Sequence, residues 1–307
     1  TQTEQGSSIS SSINTSAKEE SYVSISGNIS PFYELEKIPF RENTIIYSGK
    51  EISLYVELFN SSDIRVDAGI LFFINGYAQD YIMDDTSRKY FHEFQLSANG
   101  RRKMKITLDP VYVSASDEMV LYGIGVINSG YMPQSPEDYA LVAYPTYMSK
   151  IILSNSDVEE RIVEDVQTNL ISRRQTNIEI NTVGDRFDNI SVSGSNVITT
   201  KPFYEISRGD NVYYNGMYRG KKYRTVFFVN NEPVKGFNGK MHLDWANTID
   251  GEFVSYPIDS KVIPDDDFFA YAITFDMEGM KHSNFGKLGP ERELMPIIVE
   301  RVGIKYE

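Results

Sequence analysis

Two stretches of the sequence, residues 52–58 and 103–108, alternate between an aliphatic or methionine side chain and another residue type. Their core-forming members are Ile52, Leu54, Val56, Leu58, Met104, Ile106 and Leu108. A period of two places these side chains on one face of a β-strand. Each stretch therefore predicts a strand with one face turned towards a hydrophobic core.

Other stretches are apolar with almost no interruption. Residues 70–74 run into Asn75 and Gly76, a pair that strongly favours a tight hairpin turn, and residues 120–127 are nearly all apolar. Such runs predict strands in the centre of a sheet. Short strands separated by turn residues roughly every 8 to 12 positions indicate an all-β chain built of antiparallel sandwiches.

Three pairs of similar blocks occur in the same order along the chain. They are residues 31–35 (PFYEL) and 202–206 (PFYEI), residues 71–75 (LFFIN) and 226–230 (VFFVN), and residues 117–124 and 266–273. The separation within a pair falls steadily along the chain, as expected for a second copy with shorter loops. His92 and His242 fit the same alignment. The sequence therefore predicts a tandem duplication in which each copy closes its own core and carries one histidine at an equivalent position.

The duplication divides the chain into four parts. Residues 1–20 are a Ser/Thr-rich segment expected to be a disordered tether, residues 21–155 form a first sandwich, and residues 186–307 form a second. Residues 156–185 form a linker. A capping-box pattern at residues 156–159, followed by apolar residues every four positions, predicts a short helix there. The alternative is an extra pair of strands, because residues 177–182 alternate.

The composition removes several classes of function. The chain has no cysteine and only three histidines, which excludes thiol nucleophiles, disulfides and zinc–cysteine sites. No hydrolase elbow, metalloprotease, phosphate-loop or calcium-loop motif is present, so we expect no enzymatic activity. A net charge of -13 disfavours nucleic acid as a partner. No apolar run reaches the roughly 18 residues of a membrane-spanning helix.

The Ser/Thr-rich leader also bears on localisation. It has the composition of a segment that remains when a signal peptide, or a lipidated cysteine, is cut away. We therefore expect an exported protein, extracellular or anchored to the cell envelope, with a lipid anchor upstream of residue 1 as one mode of attachment. A cytosolic protein with a frayed N-terminus is the alternative.

Residues 49–60 follow the pattern G-x-x-I-x-L-x-V-x-L-x-N, and an apolar strand then leads into Asn75 and Gly76. This pattern resembles the opening strands of bacterial immunoglobulin-like domains that occur in tandem on exported and surface-anchored proteins of the cell-adhesion-related type. The second copy departs from it, with Asn211, Asn215 and Gly216 at early strand positions. The resemblance implies two tandem immunoglobulin-like sandwiches with a role in display, adhesion or ligand binding.

Four tyrosines are candidate binding residues. Tyr77 and Tyr81 follow the Asn75-Gly76 turn, and Tyr131 and Tyr139 lie in a proline-containing stretch of the first copy. Rigid amphipathic rings on loops suit stacking on sugars or contacts with proteins. Packing between a loop and a sheet is the alternative explanation.

Asp265, Asp266 and Asp267 are the best candidates for binding a metal ion. A cluster of hard oxygen ligands suits calcium, which needs six to eight of them. The alternative is a solvated turn, since three adjacent carboxylates supply less than half of that number. We expect no other cofactor.

Together these features predict a non-catalytic, exported or surface-anchored module with a binding, adhesive or structural role, whose partner is a protein or glycan at the cell surface. The alternative is a carbohydrate-binding protein, or an accessory to a glycan-handling system, that uses the tyrosines.

Overall fold

The computed structural model describes residues 25–31, 44–47, 51–110, 118–135, 143–153, 171–174, 186–193, 201–218, 222–246, 252–277, 296–299 and 301–307. Within these ranges the regular structure consists of β-strands and one turn of 3-10 helix at Ser260–Val262, with no α-helix. The all-β class predicted from the alternation is therefore confirmed for this part of the chain. No helical segment among these residues has the length and apolar character needed to span a bilayer.

The strands in chain order are β1 (Ile25–Pro31), β2 (Thr44–Tyr47), β3 (Ile52–Asn60), β4 (Val66–Ile74), β5 (Tyr77–Gln79), β6 (Tyr81–Met83), β7 (His92–Leu96), β8 (Arg101–Leu108), β9 (Glu118–Ile127), β10 (Ala143–Leu153), β11 (Ile171–Arg174), β12 (Arg186–Val192), β13 (Phe203–Ile206), β14 (Val212–Tyr218), β15 (Lys222–Val229), β16 (Glu232–Pro233), β17 (His242–Ala246), β18 (Glu252–Pro257), β19 (Phe268–Asp276), β20 (Ile297–Ile298) and β21 (Val302–Tyr306).

The first half of the chain forms two sheets. Sheet A has the order β1-β3-β8-β6, and sheet B has the order β2-β10-β9-β4-β5 with β7 also on β4. All pairs are antiparallel except β2 with β10. A first hydrophobic core contains side chains from both sheets, including Leu54 and Ile106 of sheet A and Phe72 of sheet B. The alternation in β3 and β8 is confirmed, because every aliphatic or methionine position predicted to face the core is buried.

The second half repeats this arrangement. Sheet D has the order β13-β21-β19-β15-β16 with β17 also on β15, which matches sheet B strand for strand, and β20 adds to β19. Sheet C has the order β11-β18-β14-β12 and matches sheet A in its three longer strands. A second hydrophobic core contains side chains from both sheets, including Tyr214 of sheet C and Phe237 and Trp245 of the sheet D region.

The hairpin turn after β4 and its counterpart after β15 use the same hydrogen bonds. Asn75 has a φ of 49°, its N–H donates to Val120 O at 3.0 Å, and its Oδ1 accepts from Val120 N at 2.9 Å. Asn230 has a φ of 48° and makes the same pair of bonds with Phe269 at 3.0 and 3.1 Å. Asparagine tolerates this left-handed conformation better than most residues. The second and third pairs of sequence blocks are therefore structurally equivalent.

The first pair of blocks is not equivalent. Pro31 is the last residue of β1 in sheet A, whereas Phe203 begins β13 in sheet D. The counterpart of β13 is β2, because each lies parallel to the last strand of its half. The alignment of residues 31–35 with 202–206 is wrong, because Pro31, the described residue of the first block, ends a strand of sheet A, whereas the second block forms a strand of sheet D.

The two histidines are also not equivalent. His92 pairs with Ile70, whereas His242 pairs with Val226, which is the counterpart of Leu71. An offset of one residue turns a strand side chain to the opposite face of the sheet. The prediction of matched histidines is therefore wrong.

A third hydrophobic core joins the two halves. Its buried side chains come from strands of sheets B and D and from Phe91, which directly precedes β7; they are Leu71, Phe73, Phe91, Val120, Tyr122, Ile124, Val126, Val226, Phe228, Phe269, Tyr271, Ile273 and Phe275. We call this cluster the shared core. The rings of Phe73 and Phe228, which are counterparts in the two copies, meet at 6.1 Å. Each copy closes a core of its own, as predicted, but the expectation that it does so without the other is wrong, because the central strands of both copies bury their second face in the shared core.

The predicted linker is in part a strand. Residues 171–174 form β11, which pairs antiparallel with β18 at the edge of sheet C. The predicted tether at residues 1–20, the capping-box helix at residues 156–170 and the alternating stretch at residues 177–182 lie outside the described residues.

Candidate functional site

Tyr77 and Tyr81 do not lie on loops. They belong to β5 and β6, and their exposed fractions are 5% and 0%. The Tyr81 hydroxyl donates to Ile70 O at 2.7 Å inside the first core, and burial raises the pKa of this hydroxyl. The fully buried Tyr81 ring offers no face for stacking on a sugar, whereas Tyr77 keeps a small exposed fraction beside a cavity. The prediction that these two rings project from loops is wrong.

Tyr131 is placed differently, with 38% of its surface exposed. It follows β9, and its backbone carbonyl accepts a hydrogen bond from Nη1 of Arg301 in the other half of the chain. Tyr139 lies outside the described residues. Of the predicted binding tyrosines that the structure describes, Tyr131 is the one that solvent reaches to a substantial extent.

The three predicted calcium ligands lie on a bend before β19. Asp265, Asp266 and Asp267 are all exposed, and Asp267 Oδ1 accepts from the backbone N–H of Tyr306 at 3.0 Å. Nowhere in the described ranges do three histidine or acidic side chains converge as a metal site would require. The geometry of these residues favours the solvated turn.

The outer face of sheet A carries an arrangement that the sequence analysis did not identify. Arg101, Lys103 and Lys105 occupy alternate positions of β8, and Tyr55 and Phe59 occupy alternate positions of the neighbouring strand β3. Their neighbours in both strands point into the first core, so these five side chains share the opposite face of the sheet. We call this set the cationic face.

The aromatic rings of this face hold two of its cations. The Lys103 ammonium lies 4.3 Å from the Tyr55 ring centre, and the Arg101 guanidinium lies 5.0 Å from that of Phe59. Arg101 also approaches Glu57 at 3.8 Å, but both side chains are largely exposed, so this ion pair contributes little. Cation–π contacts at exposed sites contribute about 0.5–1 kcal/mol each. They restrain the long side chains over the sheet.

The charge of this face opposes that of the whole chain. Residues two apart on a strand are about 6.8 Å from each other, so the three cations form a row about 14 Å long. Glu57 is the acidic residue between them, in a chain whose formal charge is -13. The sequence signal was available, because R-x-K-x-K at residues 101–105 alternates with the same period as the core positions of β8.

Comparisons with known proteins do not identify this chain. No family model and no curated protein matches it. A CARDB domain from Pyrococcus furiosus, solved with di-metal ions, is similar with 9% identity and a TM-score of 0.25, over 44% of this chain and 97% of its own. The E. coli chaperone DraB has 10% identity and a TM-score of 0.25, over 81% and 91%. Red sea bream transglutaminase has 8% identity and a TM-score of 0.22, over 92% and 31%. At these scores none of the three supports an argument about function.

Proposed function

We propose that this chain is a non-catalytic module of two tandem immunoglobulin-like sandwiches, exported to the cell surface, where its cationic face binds an acidic region of a protein partner. The observation that carries the proposal is the row formed by Arg101, Lys103 and Lys105 on one face of sheet A, in which Arg101 and Lys103 are exposed and Lys105 is half-buried. In a strongly acidic chain, such a row attracts an acidic partner to one face and leaves the remaining surface repulsive.

The cations that lie against the rings of the cationic face favour a protein over a sugar as the binding partner. Tyr55 and Phe59 each have a cation close to the ring, so a sugar could stack there only by displacing Lys103 or Arg101. Carboxylates, in contrast, can approach the cations from solvent without moving them. Arginine and aromatic residues are also enriched at protein–protein interfaces.

The dimensions of the sheet set the expected strength of binding. The four strands of sheet A have 7, 9, 8 and 3 residues, and at about 4.8 Å between strands and 3.4 Å per residue they span roughly 440 Å². This is less than the roughly 800 Å² per partner of a standard interface, so binding should be weak and transient. Because the groups involved are exposed charges, the affinity should also fall steeply with salt.

The test uses poly-L-glutamate as a model acidic polypeptide, titrated at two salt concentrations. The variant carries Arg101→Glu and Lys103→Glu. The matched control carries Lys222→Glu and Lys261→Glu, which change two exposed lysines of the second half and alter the net charge by the same amount. We expect the wild-type chain and the control to bind similarly and the variant to bind at least tenfold more weakly.

Two results would contradict the proposal. If the wild-type chain does not bind the polymer at low salt, the cationic face does not recognise acidic polypeptides. If the variant and the matched control lose affinity equally, the effect comes from net charge and the face is not the site.

Carbohydrate binding remains the second candidate, on the basis of the exposed ring of Tyr131. A glycan array with the wild-type chain and Tyr131→Ala tests it. If the Tyr131 ring binds a sugar, binding should disappear in the Tyr131→Ala variant. The absence of any bound sugar at millimolar concentration would remove this candidate.

A further inference from the structure

A cavity of about 310 Å³ lies where the two halves of the chain meet. It is bounded on the first half by Tyr77, Ala78 and Tyr90, and on the second half by residues that include Lys235, Lys240 and Met241. The cavity is partly open to solvent. It is separate from the cationic face, which belongs to sheet A alone.

The Tyr77 wall is held by contacts across the junction. The Arg224 guanidinium lies 3.6 Å from the centre of the Tyr77 ring, and the His242 ring meets Tyr77 edge-on at 4.8 Å. Arg224 donates two hydrogen bonds to the carboxylate of Asp244, at 2.7 and 2.6 Å, and a third to Asn75 O at 3.0 Å. A buried guanidinium held by a bidentate carboxylate has little freedom, so the Tyr77 wall is fixed before any ligand arrives.

A tight turn forms the opposite lip. Asn238 and Gly239 both have positive φ angles, 49° and 77°, and Phe237 and Lys240 exchange backbone hydrogen bonds at 3.2 and 2.9 Å across them. Two positive φ angles are those of the type I′ hairpin, for which Asn-Gly is the preferred pair. Phe237 is fully buried in the second core and anchors the turn. The turn thus holds Lys240 at the edge of the cavity.

The charges around the cavity are unequal. Lys235 and Lys240 line it, and no carboxylate does so among the described residues. Asp80 and Glu232 lie close enough to help burial raise the pKa of Tyr90, but neither belongs to the described lining. The rest of the lining is mainly aromatic and aliphatic. The cavity therefore combines a largely apolar lining with two lysines on its second-half side.

From this geometry we infer that the cavity binds a small organic anion with an apolar body. The apolar part lies against Tyr77, Ala78 and Met241, and its carboxylate or similar group faces Lys235 and Lys240. A water molecule takes about 30 Å³ in the liquid, and a cavity of about 150 Å³ holds benzene. A ligand of roughly ten non-hydrogen atoms is thus the size that fits.

The inference does not depend on the proposed function, because it uses different residues and a different class of ligand. A neutral sugar fits the lining less well, since the ammonium groups are donors only and the described lining offers few acceptors for hydroxyl groups. Sugar binding is therefore one of the outcomes that the experiment must separate.

The test is isothermal titration calorimetry of the full chain with three probes. 3-Phenylpropionate has an apolar body and one carboxylate, 3-phenylpropan-1-ol has the same body without charge, and D-glucose represents a neutral sugar. We expect the carboxylate to bind at least tenfold more tightly than the alcohol, and glucose to bind more weakly than either.

Three variants locate the effect. Lys235→Gln with Lys240→Gln should reduce carboxylate binding to the level of the alcohol and leave the alcohol unchanged. Lys222→Gln with Lys261→Gln, which removes two exposed lysines elsewhere in the second half, should bind as the wild-type chain does. The Arg101→Glu, Lys103→Glu variant should also retain carboxylate binding, which separates this site from the cationic face.

The inference is overturned if the carboxylate binds no better than the alcohol, or if the Lys235→Gln, Lys240→Gln variant binds both probes as the wild-type chain does. Glucose binding more tightly than 3-phenylpropionate would also overturn it and assign the cavity to sugars. All of the substituted residues in these variants are solvent-accessible, so circular dichroism should show an unchanged fold in each.

Discussion

Removing one aromatic ring from the shared core should destabilise both halves of the chain. Phe73 belongs to the first half and is fully buried, and its ring contacts Phe275 at 4.8 Å and Phe228 at 6.1 Å in the second half. The Phe73→Ala substitution leaves a cavity between sheets B and D. If the shared core couples the halves, the second half loses stability although none of its own residues has changed.

The expected size follows from the burial of the ring. Replacing a buried phenylalanine by alanine costs about 3–5 kcal/mol, because apolar contacts are lost and the cavity does not fully collapse. The two aromatic pairs place Phe73 towards the upper part of this range. With a urea dependence of about 3 kcal/mol per molar, a loss of about 4 kcal/mol lowers the unfolding midpoint by roughly 1.3 M.

The chain contains a built-in reporter for this experiment. Trp245 is the one tryptophan in the sequence, and it is buried in the second core. Urea unfolding is followed by Trp245 fluorescence, which reports the second half, and by far-ultraviolet circular dichroism, which reports all strands. We expect the two curves to coincide and to move together in Phe73→Ala. Ile64→Ala, at an exposed position of the first half, should shift them by less than about 0.5 kcal/mol.

A Trp245 midpoint that stays at its wild-type value in Phe73→Ala, while circular dichroism shows early loss of part of the signal, would refute this reasoning. The halves would then unfold independently. The contacts of the shared core would be present without stabilising either half against the other.

Three further results are expected. Gly303→Ala should lower the thermal midpoint by several degrees, because a Cβ at this position would lie 2.0 Å from Pro133 O. An unchanged midpoint would mean that the backbone segments of Gly303 and Pro133 can move apart at no cost. Burial lowers the pKa of His92 below its ordinary value of 6.5, so the free energy of unfolding should fall as the pH drops below about 6.5. His92→Gln should make the free energy of unfolding depend less steeply on pH in this range. An equal pH dependence in the two chains would contradict the assignment of this effect to His92. Calcium and chelator should give equal thermal midpoints, since residues 265–267 form an exposed bend, and a calcium-dependent rise of several degrees would restore the metal hypothesis.

The strands could be predicted from the sequence, whereas the packing of the halves could not. In β3, alternation identified both the strand and its buried face, because one side of sheet A meets the first core and the other does not. In β4 the run is continuous because Phe72 faces the first core and Phe73 faces the shared core. A continuous run shows that both faces are covered, but it contains no information about which part of the protein covers them.

The candidate site was missed for a related reason. A tyrosine near a turn signal is expected on a loop, but the Asn75-Gly76 turn is so short that Tyr77 is already the first residue of β5. The cationic residues of β8 lie within a strand. The alternation of this strand identifies the face that packs in the core, but it does not show that the opposite face binds a partner. The cavity could not be predicted in any way, because its two walls are distant in sequence and meet through the shared core.

One difference between the two halves contributes to the asymmetry of the junction. Strand pairing makes Gly69 the counterpart of Arg224, since each lies opposite the acidic residue of its neighbouring strand, Glu93 or Asp244. In the first copy a Cβ at Gly69 would meet the Phe91 ring at about 2 Å, so glycine allows that ring to cover the strand. In the second copy the arginine side chain instead extends across the junction to Asn75 and lies against Tyr77. The Tyr77 wall of the cavity therefore depends on a position at which the two halves differ, with glycine in the first and arginine in the second.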